Sequence, residues 1–244
     1  MSREGKLWLR SILCGEKCAA CGDNATRGQS ILCPACAENL NQSRHALCTE
    51  CGCAYTECMC VPKKLKSAGM ELLVKLGEYD PSQSERTLNR LILRLKDRGD
   101  GMCAEYIAAY LINPVSRIAA AREFSLSASA VTYAPRSPRK RRASGTDPAR
   151  LLARKLSDAI GAEFVSAVER TRSGTDQKSL TFEERFDNVR GLYTIRADAV
   201  RGRTVFLVDD VVTSGATMRA ITEQLYAAGA AAVFGICIGR TLLR

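Results

Sequence analysis

At 244 residues with 46% apolar content, the chain is long enough for one medium domain with its own core and a small module beside it. No apolar run reaches membrane-spanning length, and the opening MSREGKLWLR lacks the apolar stretch and cleavage site of a signal peptide; a soluble cytoplasmic protein with no membrane insertion is expected. The formal charge of +10 points to an anionic partner, either nucleic acid or a polyphosphate substrate, without choosing between them.

Residues 7–14 (LWLRSILC) form a short amphipathic lead-in. Of the twelve cysteines, ten fall before residue 61, in close pairs. In a cytoplasmic chain such clustering argues for metal rather than disulfides. Cys18, Cys21, Cys33 and Cys36 form two C-x-x-C pairs with zinc-ribbon spacing, each pair a tight turn that points two sulfurs at one centre. Cys48, Cys51, Cys58 and Cys60 form a second set, with Cys53 as a substitute ligand. Its C-x-C half is less regular, and free buried thiols are the alternative there. Four thiolates leave no open position, so Zn2+ is expected to be structural. It would supply roughly 10–16 kcal/mol to a segment too polar to fold unaided. His45, between the sets, reads as a surface residue, with metal ligation as the minority case. Val61-Pro62 and the run Lys63-Lys64-Leu65-Lys66 look like a junction. The expected organisation is therefore a cysteine-rich zinc-binding module over 1–62 and a second domain over 63–244.

Residues 84–96 place Leu88, Leu91, Ile92 and Leu95 on one helical face, ended by Asp97-Arg98-Gly99-Asp100-Gly101. A second helix is expected from Met102 to Ile112, stopped by Asn113-Pro114. A strand from Ala128 to Ala134 runs into Pro135-Arg136-Ser137-Pro138-Arg139-Lys140-Arg141-Arg142. This basic loop either faces a polyphosphate ligand, with Pro135 and Arg136 nearest the strand end, or is a solvated segment that binds any polyanion. A helix over 148–160 and a short strand from Glu163 to Val168 follow. The polar stretch over 169–187 has the length of a lid, and Ala231 to Gly239 reads as a closing strand with Cys237 in the core.

The most informative stretch is Val205-Phe206-Leu207-Val208-Asp209-Asp210-Val211-Val212-Thr213-Ser214-Gly215-Ala216-Thr217. Apolar residues, a carboxylate pair and a small-residue turn read as a buried strand, a loop and a helix N-terminus. Met218, Ile221 and Leu225 share one face of that helix, and Gly229 is placed to end it. Free backbone N–H groups and the helix dipole favour a phosphate at the loop, and the adjacent carboxylates suit a sugar phosphate. The alternative is an ordinary strand-turn-helix whose Asp pair caps the helix. There is no Gly-Lys-Ser/Thr and no G-x-G-x-x-G, so nucleoside triphosphate hydrolysis and dinucleotide binding are set aside.

This stretch resembles the phosphoribosyl pyrophosphate (PRPP) motif of type I phosphoribosyltransferases. The resemblance implies that Asp209 and Asp210 hold the ribose hydroxyls and that Thr213, Ser214, Gly215, Ala216 and Thr217 cradle the 5′-phosphate. Together with Tyr79, the Leu91-to-Lys96 helix, Ala134-Pro135-Arg136, Arg172-x4-Gln177-x2-Leu180 and Arg185-x2-Asn188-Val189, the order of parts closely resembles the ComF family over almost the whole chain. The fold class so implied is α/β, a type I phosphoribosyltransferase-like parallel sheet flanked by helices and preceded by a small zinc-ribbon module. Mg2+ is expected with PRPP, the reaction class is pentosyl transfer (a glycosyltransferase) or sensing of PRPP, and the setting is DNA uptake in natural transformation. No residue stands out as general base. The chain departs from the family at Gly145-Thr146-Asp147-Pro148, where a Gly-Phe-Asn-Gln-like segment is usual. Relatives acting on 6-oxopurines carry an acid where Thr213 stands, which argues against hypoxanthine or guanine. A different class of function is an accessory protein that handles single-stranded DNA or binds DNA-uptake proteins, with the fold kept as a scaffold. Aromatics are only 6% of the chain and are not interleaved with the basic run, as a stacking platform requires.

Overall fold

The computed structural model describes residues 17–25, 30–170 and 191–241. Its strands are β1 (Leu73–Glu78), β2 (Ala130–Tyr133), β3 (Glu163–Phe164), β4 (Val168–Arg170), β5 (Tyr193–Ile195), β6 (Thr204–Val212) and β7 (Ala232–Arg240). The helices are α1 (Pro34–His45), α2 (Lys63–Lys66), α3 (Thr87–Arg98), α4 (Gly101–Ala121), α5 (Pro138–Ser144), α6 (Pro148–Ile160) and α7 (Ala216–Ala227). Five strands form a parallel sheet in the order β1-β7-β6-β2-β3, and β4 and β5 form a separate antiparallel pair.

Period-two alternation sorts the central strands onto two buried faces. Phe206 and Val208 of β6 lie with Phe234, Ile236 and Ile238 of β7 in a core completed by Leu88, Leu91, Ile92 and Leu95 of α3 and by apolar residues of α4 and α6. Val205 and Leu207 lie with Val233 and Cys237 on the other face, against Met218, Ile221 and Leu225 of α7. Gly229 (φ 92°) follows α7. Its N–H donates to the Tyr226 carbonyl and that of Ala230 to Leu225, a left-handed ending of the kind the sequence predicts. The first cysteine set shares the larger core: Cys18, Leu32, Cys33, Cys36 and Leu40 belong to the same apolar cluster as Val74 and Leu91. Asn39 of α1 also accepts the Thr87 backbone N–H at 2.8 Å, at the start of α3.

Three local expectations give way. The helix expected to stop at Asn113-Pro114 continues to Ala121 with Pro114 inside it, because Val115, Ile118 and Ala119 extend its buried face. That burial offsets the one backbone hydrogen bond proline cannot make. The basic stretch is not a loop from Pro138 onward but helix α5, with Ser137 accepting the Lys140 N–H at its start and Gly145 ending it in the left-handed region. The strand expected from Glu163 to Val168 is divided, since β3 ends at Phe164 and β4, in the smaller sheet, begins at Val168. The lead-in over 7–14 and most of the stretch over 169–187 lie outside the described residues.

The topology also fixes where a ligand can sit. From β2 the chain moves outward to β3, then returns to the other side of β2 for β6 and β7. The reversal falls between β2 and β6, whose pairing ends at Tyr133 and Val208. In an open parallel sheet the crevice at such a switch point is where ligands bind.

Candidate functional site

The residue after Val208 is Asp209, so the acid pair emerges at that switch point while β6 continues to Val212. The backbone fixes both carboxylates: Asp209 Oδ1 accepts the Asp210 N–H at 2.8 Å and Asp210 Oδ1 accepts the Val211 N–H at 2.8 Å. Burial, followed by the charge of Asp210, holds the Asp209 carboxyl well above the usual carboxylate range. Lys96, from the end of α3, faces Asp210 with its Nζ 3.5 Å from Oδ2 and lies 5.3 Å from the centre of the Tyr79 ring.

Beyond Val212 the chain turns through Thr213 and Ser214 into Gly215, the N-cap of α7, at φ 77° and ψ 2°. This left-handed conformation favours glycine, and a Cβ there would stand 3.2 Å from Leu65 Cγ. Leu65 is fully buried while its lysine neighbours are not. The junction run therefore braces the turn from below; the Ser214 hydroxyl accepts the Ala216 N–H at 3.4 Å at the start of α7, an end of the helix whose N–H groups and dipole favour an anion.

A cavity of about 440 Å³ joins these parts. Of the residues named from sequence, Asp209, Asp210, Thr217, Pro135 and Arg136 line it. Thr213 is exposed, Ser214 half-buried, and Gly215 and Ala216 buried in the turn itself. Arg136 is held from several sides: its N–H donates to Asp147 at 3.3 Å, and its Nη1 donates to Ser144 Oγ at 2.9 Å and to the Lys96 carbonyl at 3.4 Å. Thr146 Oγ1 donates to that same carbonyl at 2.7 Å, and Asp147 caps α6. The 145–148 corner, where the sequence departs from its family, is thus bound to the end of α3. Lys96, Arg170 and Tyr193 line the cavity too; of these, sequence reasoning placed only Arg170, within the lid-length stretch over 169–187. Arg170 Nη1 donates to the Tyr193 hydroxyl at 3.4 Å across the β4–β5 pair. Burial pushes the Tyr193 phenol up. For Lys96 the only signal was its place at the end of a helix matched to the family.

The two cysteine sets assemble as their spacing predicts. The sulfurs of Cys18, Cys21, Cys33 and Cys36 lie within 4.8 Å of one another, as do those of Cys48, Cys51, Cys58 and Cys60. A tetrahedral zinc with Zn–S bonds of about 2.3 Å needs S···S separations of about 3.8 Å. Cys21···Cys33 is 3.7 Å, Cys48···Cys60 3.6 Å and Cys51···Cys58 3.4 Å. Each set could therefore hold a metal such as zinc. The two leading turns are built alike, with the Gly22 N–H donating to the Cys18 carbonyl and the Gly52 N–H to Cys48, a short repeat not remarked in the sequence. Cys53 is exposed, with its thiol toward the Cys51 carbonyl, and lies outside the second set. His45 is exposed at the end of α1.

The second set is tied to the sheet by charge. Lys75 of β1, only 1% exposed, donates its Nζ to the Cys60 carbonyl at 2.9 Å and approaches Cys60 Sγ at 3.5 Å. Arg240, at the end of β7, grips Glu50 through both terminal nitrogens at 2.5 and 2.6 Å.

Residues 143–239 match the phosphoribosyl transferase domain family. Over these residues the chain is similar to phosphoribosyl transferase domains. Among curated relatives, the DNA utilization protein YhgH of Escherichia coli K12 is 37% identical over 99 residues, which cover 40% of this chain and 43% of that protein. The chain thus spans under half the length of this relative. The protein of the same name in Salmonella typhimurium is 28% identical over 172 residues, 70% of this chain and 72% of its own length. The two cysteine sets precede the region that matches the phosphoribosyl transferase domain family. The crystal structure of TT1426 from Thermus thermophilus covers 55% of this chain and 72% of its own at 18% identity, with a TM-score of 0.33, too slight a likeness to carry an argument. No helix among the described residues is long and apolar enough to cross a membrane.

Proposed function

We propose that the chain binds PRPP at the β2–β6 switch point and is a ComF-type phosphoribosyltransferase or a PRPP sensor acting in DNA uptake. One observation carries this reading: a carboxylate pair and a helix N-terminus with a left-handed glycine cap lie together at the crevice where the sheet reverses. In this assignment Asp209 and Asp210 take the ribose hydroxyls. Thr213, Ser214, Gly215, Ala216 and Thr217 surround the 5′-phosphate with backbone N–H groups and hydroxyls. Pro135 and Arg136 border the pyrophosphate end. Transfer would break the bond from the ribose C1 to pyrophosphate and form one to an acceptor, with positive charge developing on the sugar. Magnesium bound with the diphosphate would neutralise the leaving charge. The chain's own part is to fix both ends of the ligand so that cations face the leaving oxygens as their charge grows. Zinc in the two cysteine sets is structural in this reading, residues 1–62 form the zinc-binding module, and the protein works in the cytoplasm.

A second reading draws on one feature. Arg139, Lys140, Arg141 and Arg142 are exposed on α5, and the curated relatives are named for DNA utilization. That reading is a non-catalytic protein that handles single-stranded DNA. Calorimetric titration with magnesium and PRPP, ribose 5-phosphate or a short single-stranded DNA separates the two. Saturable PRPP binding is expected. Salt-sensitive DNA binding with no response to PRPP would replace the first reading by the second.

A further inference from the structure

Resting on the reading of this cavity as a PRPP site, we propose that Lys96 is the residue whose cationic head meets the diphosphate. Arg136 then acts as the positioning residue that holds Lys96 there.

Sequence position favours Arg136, since it follows directly on the strand end. Its hydrogen bonds give it a different task. One terminal nitrogen is shared between the Ser144 hydroxyl and the Lys96 carbonyl, and its backbone N–H goes to the carboxylate that caps α6. The Lys96 carbonyl belongs to the last turn of α3, where carbonyls have no helical donor. Arg136 and Thr146 supply donors to it. A cation and a hydroxyl at a helix C-terminus are favourable on both hydrogen-bond and dipole grounds. Arg136 therefore locks the end of α3 against the loop after β2.

The group this lock presents to the cavity is the Lys96 ammonium. Its contacts are loose. The ion pair to Asp210 is 3.5 Å long, against about 2.7–2.9 Å for a strong charge-assisted bond, and the Tyr79 ring centre is 5.3 Å away. An ammonium on a four-carbon stem is a movable point charge suited to phosphate oxygens. It lines the same cavity as the acid pair and as Arg136, Arg139 and Lys140. Once the ribose hydroxyls occupy Asp209 and Asp210, the diphosphate is the stronger partner within reach, and Lys96 passes from Asp210 to it.

The test compares PRPP with ribose 5-phosphate, which lacks the diphosphate, in wild-type protein and the Lys96→Met, Lys96→Arg and Arg136→Gln variants with magnesium present. Lys96→Met is expected to weaken PRPP about 10- to 100-fold, the scale of one lost charge-assisted contact, and to leave ribose 5-phosphate within about 2-fold. Lys96→Arg restores most of the difference. Arg136→Gln, acting through position, weakens PRPP less and lowers the melting temperature. If Lys96→Met is unfolded, Lys96→Gln takes its place. A folded Lys96→Met or Lys96→Gln variant that keeps the wild-type ratio of the two affinities would overturn the inference while leaving the site standing. Wild-type protein that binds neither ligand would overturn the site reading itself, and the inference with it.

Discussion

Lys75 and Asp209 sit at the same level of the sheet on either side of β7, each paired in register with Cys237. The surroundings of these two ionisable groups are opposite. The Lys75 ammonium reaches a carbonyl at 2.9 Å and faces the sulfurs of the second cysteine set, which as thiolates on a divalent metal would carry net negative charge. The neighbour of Asp209 is another carboxylate, and the cation that faces the pair, Lys96, stands 3.5 Å from its far member. A charge taken out of water costs several kcal/mol unless it is paired. Where the pairing is complete, as at Lys75, the charge serves architecture. Where two carboxyl groups are held together by backbone N–H groups, one of them keeping its proton, the missing partner is expected to arrive from outside.

The largest effect expected from this contrast is at Lys75. Lys75→Met leaves the second thiolate set without its counter-ion and is expected to cost about 3–5 kcal/mol. It should reduce bound zinc from two ions per chain to one, while the first set, embedded in the apolar core, keeps its metal. Zinc content and the rate of release to a chelator measure this. Two zincs retained with unchanged release would mean that Lys75 is not part of the centre.

A smaller effect separates the acid pair from an ordinary ion pair. Because the Asp209 carboxyl is raised, the folded protein keeps a proton that the unfolded chain releases near its ordinary value of about 3.9. Folding therefore takes up a proton in that window. Stability falls as pH rises from about 4 toward the raised value, with a slope of at most about 1.4 kcal/mol per pH unit. Asp209→Asn should flatten that slope, as pH-dependent denaturant melts would record. A salt-bridged carboxylate would give the opposite sign.

Much of this contrast was legible from sequence wherever its parts are local. The carboxylates, turn and helix are contiguous from Val205 to Thr217, so strand and helix periods placed them with little tertiary information. The C-x-x-C pairs are likewise single turns. Lys96 was out of reach as a site residue because α3 is brought to β6 only by the order of the sheet. Lys75 lies in a stretch to which the sequence assigned no element, and its part emerges only with the second cysteine set packed over it. Cys60, named for the second set with Cys53 as a substitute, is the one whose sulfur the fold brings to the other three. At Pro114 a local rule failed because burial of Val115, Ile118 and Ala119 favours continuing the helix. At α5 the charge run hid a helix whose cap, Ser137, and whose ending, Gly145, were both present in the sequence.

The most direct measurement is the melting temperature of wild-type protein and of the Asp209→Asn, Asp210→Asn double variant, each with and without PRPP and magnesium. If the pair is kept for a ligand, the double variant melts at or above the wild-type temperature alone and gains nothing from PRPP, while the wild-type protein is stabilised by it. A double variant that is markedly less stable, or that is stabilised by PRPP as well as the wild type, would contradict the assignment of these carboxylates to the ribose.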